Sequence, residues 1–206
     1  MATKGELTRE NILGIAEHII LQKGFSGTSI DEIIEAARIT KGGFFYHFKG
    51  KEDLARHLMI RYQVADDIFF NELFDRADSL SEDPLQQMLI FLKLLAEAMG
   101  NLPETHPGCL VASFTYENQQ FNDDVKQIIC DCLVGWRKLF VKKLSRISEA
   151  YSMRVETDIM ELADTLTSIV EGGIILSRAF NEPERLVNQI LQYRNYIRLL
   201  YGDIRD

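Results

Sequence analysis

The chain has 206 residues, 46% of them apolar, and 23 Lys and Arg against 31 Asp and Glu leave a formal net charge of −8. That length allows one large domain or two small ones, and the acidic surplus excludes an indiscriminate nucleic-acid coat. Without a bilayer-length apolar run or the apolar core of a secretion signal at the start, the expectation is a globular cytoplasmic protein with no membrane partner.

The first predicted helix runs from about Leu7 to Lys23, with Ile12, Leu13, Ala16, Ile19 and Ile20 at helical spacing and Gly24 just past its end. A second begins near Ser29. Thr28 or Ser29, followed three residues later by Asp31 or Glu32, is a capping-box start, and Ile30, Ile33, Ile34 and Ala37 share one face. Arg38 and Ile39 form a turn, Thr40 caps a third helix, and Lys41 to His47 gives it about two turns. Two helices joined so tightly read as a DNA-binding helix-turn-helix over residues 29–48. Gly42 and Gly43 each cost roughly 1 kcal/mol relative to alanine in a helix, but they let backbone N–H groups approach a phosphate or base edge. Phe44, Phe45, Tyr46 and Phe48 crowd around His47, so some must anchor the helix while others face outward. Arg38, Lys41, Lys49, Lys51, Arg56 and Arg61 oppose only Glu52 and Asp53, a local charge of +4 in an acidic chain.

A fourth helix, from Lys51 to about Asp78, carries Leu54, Leu58, Ala65, Ile68, Phe69 and Leu73 and is too long to belong to the head alone. Asp83 and Pro84 start a fifth, with Leu85, Met88, Leu89, Leu92, Leu95, Ala96 and Met99 on one face. Pro103 and Pro107 mark a loop, after which Cys109 to Gln119 reads as a short helix. Asn122 caps a long helix reaching about Arg146, with Val125, Ile128, Ile129, Cys132, Leu133, Trp136, Leu139 and Phe140 facing inward. Val155 to about Phe180 and Pro183 to about Tyr201 close the chain, for an all-α fold of about nine helices. The last two carry broad apolar stripes that a homodimeric four-helix bundle would cover, through Leu166, Ile169, Gly173, Leu186, Ile190, Tyr193 and Ile197. Gly172-Gly173 there permits either a close helix approach or a kink.

At Gly24-Phe25, Thr28-Ser29, Ile33 with Ala36-Ala37, Thr40-Lys41-Gly42, Tyr46-His47-Phe48 and Lys51-Glu52-Asp53-Leu54 the chain resembles the TetR family of one-component transcriptional regulators. The resemblance covers roughly the first third of the chain. It implies a three-helix DNA-binding head over residues 6–66, whose third helix enters the major groove of double-stranded operator DNA. It also implies a helical body over residues 67–206 that dimerises and binds a small-molecule inducer. Carried over by position, Ser29, Lys41, Gly42, Gly43, Phe45, Tyr46, His47 and Lys51 are the DNA contacts. Arg38 replaces the family's usual turn glycine: either the turn tolerates a left-handed arginine or its geometry differs, and Arg38 adds a candidate phosphate contact. Phe45 replaces a tyrosine that often bonds a phosphate, and Gly43 offers no side chain to read a base, so base preference falls to Lys41, Tyr46 and DNA shape.

The four histidines lie in four separate segments and form no catalytic or metal-binding constellation, so neither an enzyme nor a cofactor or metal is expected. Phe69, Phe91, Tyr116, Phe121 and Trp136 together offer an apolar or aromatic ligand pocket, with Glu117 or Asn118 to orient the ligand, although single aromatics at this spacing are more often ordinary core. Three cysteines lack disulfide or zinc spacing. Around Cys109, the run Pro107-Gly108-Cys109-Leu110-Val111 resembles the subgroup containing the repressor of N-ethylmaleimide reductase, in which this cysteine senses electrophiles. A buried structural cysteine is the other reading. The expected function is a dimeric repressor released by a small molecule or through Cys109. From another class, the alternative is a helical ligand- or protein-binding dimer that has lost operator specificity.

Overall fold

Caps decide where the helices begin. In the computed structural model, which describes residues 3–202, the described residues form nine α-helices and one short 3-10 turn. The first helix, α1 (Lys4–Lys23), starts earlier than its apolar period predicts. Thr3 N–H donates to Glu6 Oε2 at 2.7 Å and Glu6 N–H donates to Thr3 Oγ1 at 3.2 Å, a closed capping box upstream of the expected start at Leu7. Then follow α2 (Ile30–Ala37), α3 (Lys41–His47), α4 (Lys51–Leu80) and α5 (Pro84–Gly100), the last opened by Asp83, whose carboxylate accepts Gln86 N–H at 2.8 Å. The expected helix over 109–119 is divided into α6 (Leu110–Tyr116) and the 3-10 turn Asn118–Gln120. After α7 (Asp123–Ala150), α8 (Ile159–Phe180) starts later than Val155 because the Asp158 side chain accepts the N–H groups of Met160 and Glu161, and α9 (Glu184–Tyr201) ends the fold.

The chain divides into two compact units, Met1–Ala65 with Pro107–Cys132, and Asp66–His106 with Leu133–Asp206. Sequence reading placed one boundary near residue 66; the division instead groups α6 and the start of α7 with the head. Both α4 and α7 begin in the first unit and end in the second. In the first unit Ile12, Leu13, Ile20, Ile33, Phe44, Phe48, Leu54 and Leu58 are essentially inaccessible. Each such side chain contributes about 1.5–3 kcal/mol by leaving water. At the edge of that core Arg61 reaches from α4 to Glu17 at 2.9 Å and Glu10 at 3.2 Å on α1.

In the second unit α9 packs against both α5 and α8. Phe74 and Phe91 stack with ring centroids 3.7 Å apart, and Phe140 packs beside both. Arg137 forms a two-pronged bond to Asp164, both contacts 2.7 Å, and buried Tyr193 donates its hydroxyl to Leu162 O at 2.8 Å. This packing corrects the expected dimer stripe. Leu166, Gly173, Leu186, Ile190, Tyr193 and Ile197 are buried within one protomer, and Ile169 is half-buried. The cover is intrachain: α8 and α9 bury these residues against each other, and α5 covers a second face of α9. Large apolar side chains left exposed on these helices are Met160, Ile175, Leu176 and Phe180 on α8 and Tyr196 and Leu199 on α9.

The glycine pair splits in role. A Cβ on Gly173 would lie 2.8 Å from Leu186 Cδ1 and 3.1 Å from Leu186 Cα, so α8 and α9 cross there at glycine distance, whereas a Cβ on Gly172 meets nothing within 4 Å. Gly173→Ala should therefore lower the unfolding free energy by about 1–3 kcal/mol through overpacking. Gly172→Ala should raise it by up to about 1 kcal/mol through helix propensity. Chemical denaturation of the two variants checks both signs.

Candidate nucleic-acid interface

Helix α3 has seven residues, too few to persist without anchoring. Its orientation is set first by the turn before it. Ser29 Oγ accepts Glu32 N–H at 3.2 Å to open α2, and α2 closes on Arg38 in the left-handed region, φ 53° and ψ 44°. Ile39 N–H then returns to Ile34 O at 3.2 Å, so the turn keeps glycine-type geometry with an arginine in it. A non-glycine residue in that region costs about 1–2 kcal/mol. Thr40 Oγ1 accepts Gly43 N–H at 3.1 Å and starts α3. Phe44 and Phe48 are buried, at 0% and 1% exposure, while Phe45 is 45% and Tyr46 82% exposed. The anchoring and outward faces of the aromatic cluster are thereby separated.

Around that face Ser29, Arg38, Lys41 and Gly42 are exposed, Gly43 and His47 half-buried. A Cβ on Gly42 would come no nearer than 4.0 Å to Thr40 Oγ1, and one on Gly43 no nearer than 3.4 Å to the same atom. Neither glycine is required by the fold's own packing, which leaves close approach from outside as their use. Lys41 Nζ lies 3.6 Å from Asp31, an exposed pair too weakly coupled to withhold the lysine from a phosphate. Lys51 is placed differently from expectation. Its ammonium donates to Phe25 O and sits 4.2 Å from the Phe25 ring centroid, turned onto the turn between α1 and α2. Burial pushes its pKa down, and the charge of Glu117 opposes that shift.

Glu117 was expected to orient a ligand. Instead its carboxylate accepts Phe25 N–H at 2.6 Å and Ser26 N–H at 2.8 Å. Burial alone would raise its pKa, but the bonds from Ser26 and Phe25 and the nearby Lys51 outweigh burial and hold it below the usual carboxylate value. No local pattern announces a bond across 91 or 92 residues. The only sequence signal was Gly24, which adopts φ +82° and where a Cβ would stand 2.7 Å from Glu117 Oε1.

The proposed ligand residues are divided between the two units. Phe69, Phe91 and Trp136 belong to the second unit, with Phe91 and Trp136 buried in its core. Cys109, Tyr116 and Phe121 belong to the first. There Phe121 stacks on Phe114 at 4.7 Å and lies 4.6 Å from Phe25, while Tyr116 is 76% exposed. Cys109 is 6% exposed and caps α6, its Sγ accepting Ala112 N–H at 3.4 Å. A cavity of about 610 Å³ in the second unit is lined by Leu85, Leu89, Tyr151, Arg154, Arg194 and Arg198, among others, and by none of the predicted aromatics. Among the described residues no group of three His, Cys, Asp or Glu is arranged to hold a metal, and no helix is long and apolar enough to cross a membrane.

A short, core-anchored helix presenting lysine, tyrosine and glycine behind a tight turn, ahead of a second all-α unit, defines a helix-turn-helix transcription regulator. Residues 12–58 match the family described as bacterial regulatory proteins, tetR family, and residues 85–191 match the tetracyclin repressor-like C-terminal domain. The chain belongs to the TetR family of transcriptional regulators. It is 26% identical to the transcriptional regulator AcuR of Cereibacter sphaeroides, over 90% of this chain and 83% of that protein. With the repressor NemR of Escherichia coli it shares 23% identity over 92% of this chain and 94% of that one. Among solved structures, a TetR-family regulator from Agrobacterium tumefaciens superposes with a TM-score of 0.79 at 18% identity, covering 97% of this chain and 100% of that one. The reduced form of E. coli NemR gives 0.75 at 21% identity, covering 97% and 99%. Both structures share the fold.

The separated faces of α3 give opposite expectations for neighbouring aromatics. Phe44→Ala should lose about 3–5 kcal/mol of stability, whereas Tyr46→Ala should leave the unfolding midpoint near wild type and weaken DNA binding. At the turn, Arg38→Gly relieves the left-handed strain and should stabilise the head by up to about 1 kcal/mol, even if affinity falls. Thermal unfolding paired with DNA titration distinguishes these outcomes.

Proposed function

We propose that the protein is a homodimeric repressor that binds a pseudo-palindromic operator through α3 and is released by a small apolar or aromatic ligand. The observation that carries this reading is the outward face of α3, with Tyr46 and Phe45 exposed beside Lys41 on a helix anchored by Phe44 and Phe48. Ser29, Arg38, Gly42, Gly43 and His47 complete the DNA surface, and Lys51 supports it from behind rather than contacting a phosphate. Paired through the exposed apolar residues of α8 and α9, two copies would present their reading helices to major grooves about 34–36 Å apart, or farther on a longer operator. Selection of genomic fragments by the purified protein tests the reading, and recovery of no enriched sequence would overturn it. With the selected operator, Lys41→Ala should weaken binding and flatten the log–log salt slope by about 0.9. If binding is coupled to a ligand, saturating operator must weaken ligand affinity by the factor through which the ligand weakens operator affinity.

Assembly has its own test. Phe180→Glu with Leu199→Glu should convert dimers to helical monomers in sedimentation, because both side chains are exposed on one protomer. A double variant that still sediments as a dimer would place the interface elsewhere. A second trigger, modification of Cys109, is favoured by one feature, the position of its sulfur at the start of α6. Its burial argues for a structural role. Loss of operator binding on electrophile treatment in wild type but not in Cys109→Ser would establish the thiol as the trigger.

A further inference from the structure

The turn between α1 and α2 is held by groups distant in sequence. Gly24 enters it at φ +82°, and the next two N–H groups, of Phe25 and Ser26, converge on the two oxygens of Glu117. On its other side Phe25 O accepts from Lys51 Nζ and from Thr28 N–H, while Thr28 Oγ1 donates to Gly24 O at 2.8 Å. One residue later Ser29 caps α2. Glu117 is itself fixed. It is the residue that closes α6, between Phe114 and Phe121, whose stacked rings pack against Phe25. A reciprocal bond completes the clasp, from Asn122 N–H to Glu52 Oε1 at 2.9 Å.

We propose that Glu117 is a positioning residue for operator binding: its carboxylate fixes the turn from which α2 starts and thereby the placement of the α2–α3 reading unit. This rests on the operator-binding reading above and adds to it a control point, since any displacement of α6 withdraws the carboxylate from the turn. Geometry rather than bulk stability is what the bond supplies. The Ser26 bond is exposed and the Phe25 bond only partly buried, so water can reach the N–H groups when the carboxylate leaves, but water imposes no position. Electrostatics alone predicts the opposite effect on DNA, because a carboxylate on the head repels phosphate.

The test uses full-length protein and the operator it selects. Glu117→Gln keeps the side-chain size, removes the charge and can accept only one of the two bonds well. It should weaken operator binding about tenfold or more at a temperature where circular dichroism shows full folding, and amide exchange at Phe25 and Ser26 should accelerate. Equal or tighter binding by this variant would overturn the proposal. Should it fold poorly, Glu117→Asp keeps the charge and withdraws it by one methylene; weakened binding again supports the positioning role, and wild-type affinity overturns it. Wild-type protein that selects no operator fails the underlying reading as well, whereas operator selection with unaltered variant affinity fails this inference alone.

Discussion

The first unit depends on the burial of Phe44 and Phe48. A seven-residue helix cannot repay its own nucleation in water, so α3 exists because Phe44 within it and Phe48 just past its end are buried, Phe48 between Arg9 of α1 and His57 of α4. That anchoring determines where every other side chain on α3 points. With Phe44 and Phe48 inward, Phe45 and Tyr46 must face out beside Lys41, and the two glycines of the first turn stand uncovered. The left-handed Arg38 is the local strain carried to reach this arrangement, and the burial on either side of it is large enough to hold it.

The second unit solves a different problem. Helices α8 and α9 are apolar over more than one face, and each needs more than one neighbour. Intrachain packing of α9 with α8 and α5 consumes the stripe through Leu186, Ile190, Tyr193 and Ile197, leaving a smaller exposed set of Met160, Ile175, Leu176 and Phe180 on α8 and Tyr196 and Leu199 on α9. Gly173 lets α8 and α9 approach closely enough to seal the first interface. What remains exposed is the surface through which an association between copies would act.

Between the sequence neighbours of these units lies the segment 107–132, which folds with the head although it follows α5 in the chain. It is held by a mixed set of forces: Phe114 and Phe121 against Phe25, the Glu117 carboxylate on two backbone N–H groups, and Glu52 on a third. Apolar packing supplies the energy, and the charge-assisted bonds supply direction. Cys109 begins the same short helix that Glu117 ends, so a change at one end has little intervening structure in which to be absorbed.

How much of this was legible depended on the range of the interaction. Caps and periodicity are local, and they gave the number and type of helices, the Ser29 and Thr40 starts, the Asp83-Pro84 entry and the division of α3 into anchoring and outward aromatics. The family resemblance through residues 24–54 rested on the same local signals. Range also explains the misreadings. A stripe such as Leu186 to Ile197 states that burial is needed, but not whether α5 and α8 of the same chain or a second copy provide it. Phe121 and Glu117 carry no mark of partners some 90 residues away, and Lys51 reads as a free cation until the turn at Phe25 is placed beneath it. Sequence alone determined which segments are helical and which faces must leave water; tertiary structure decided what covers each face, because that depends on which distant segments arrive there.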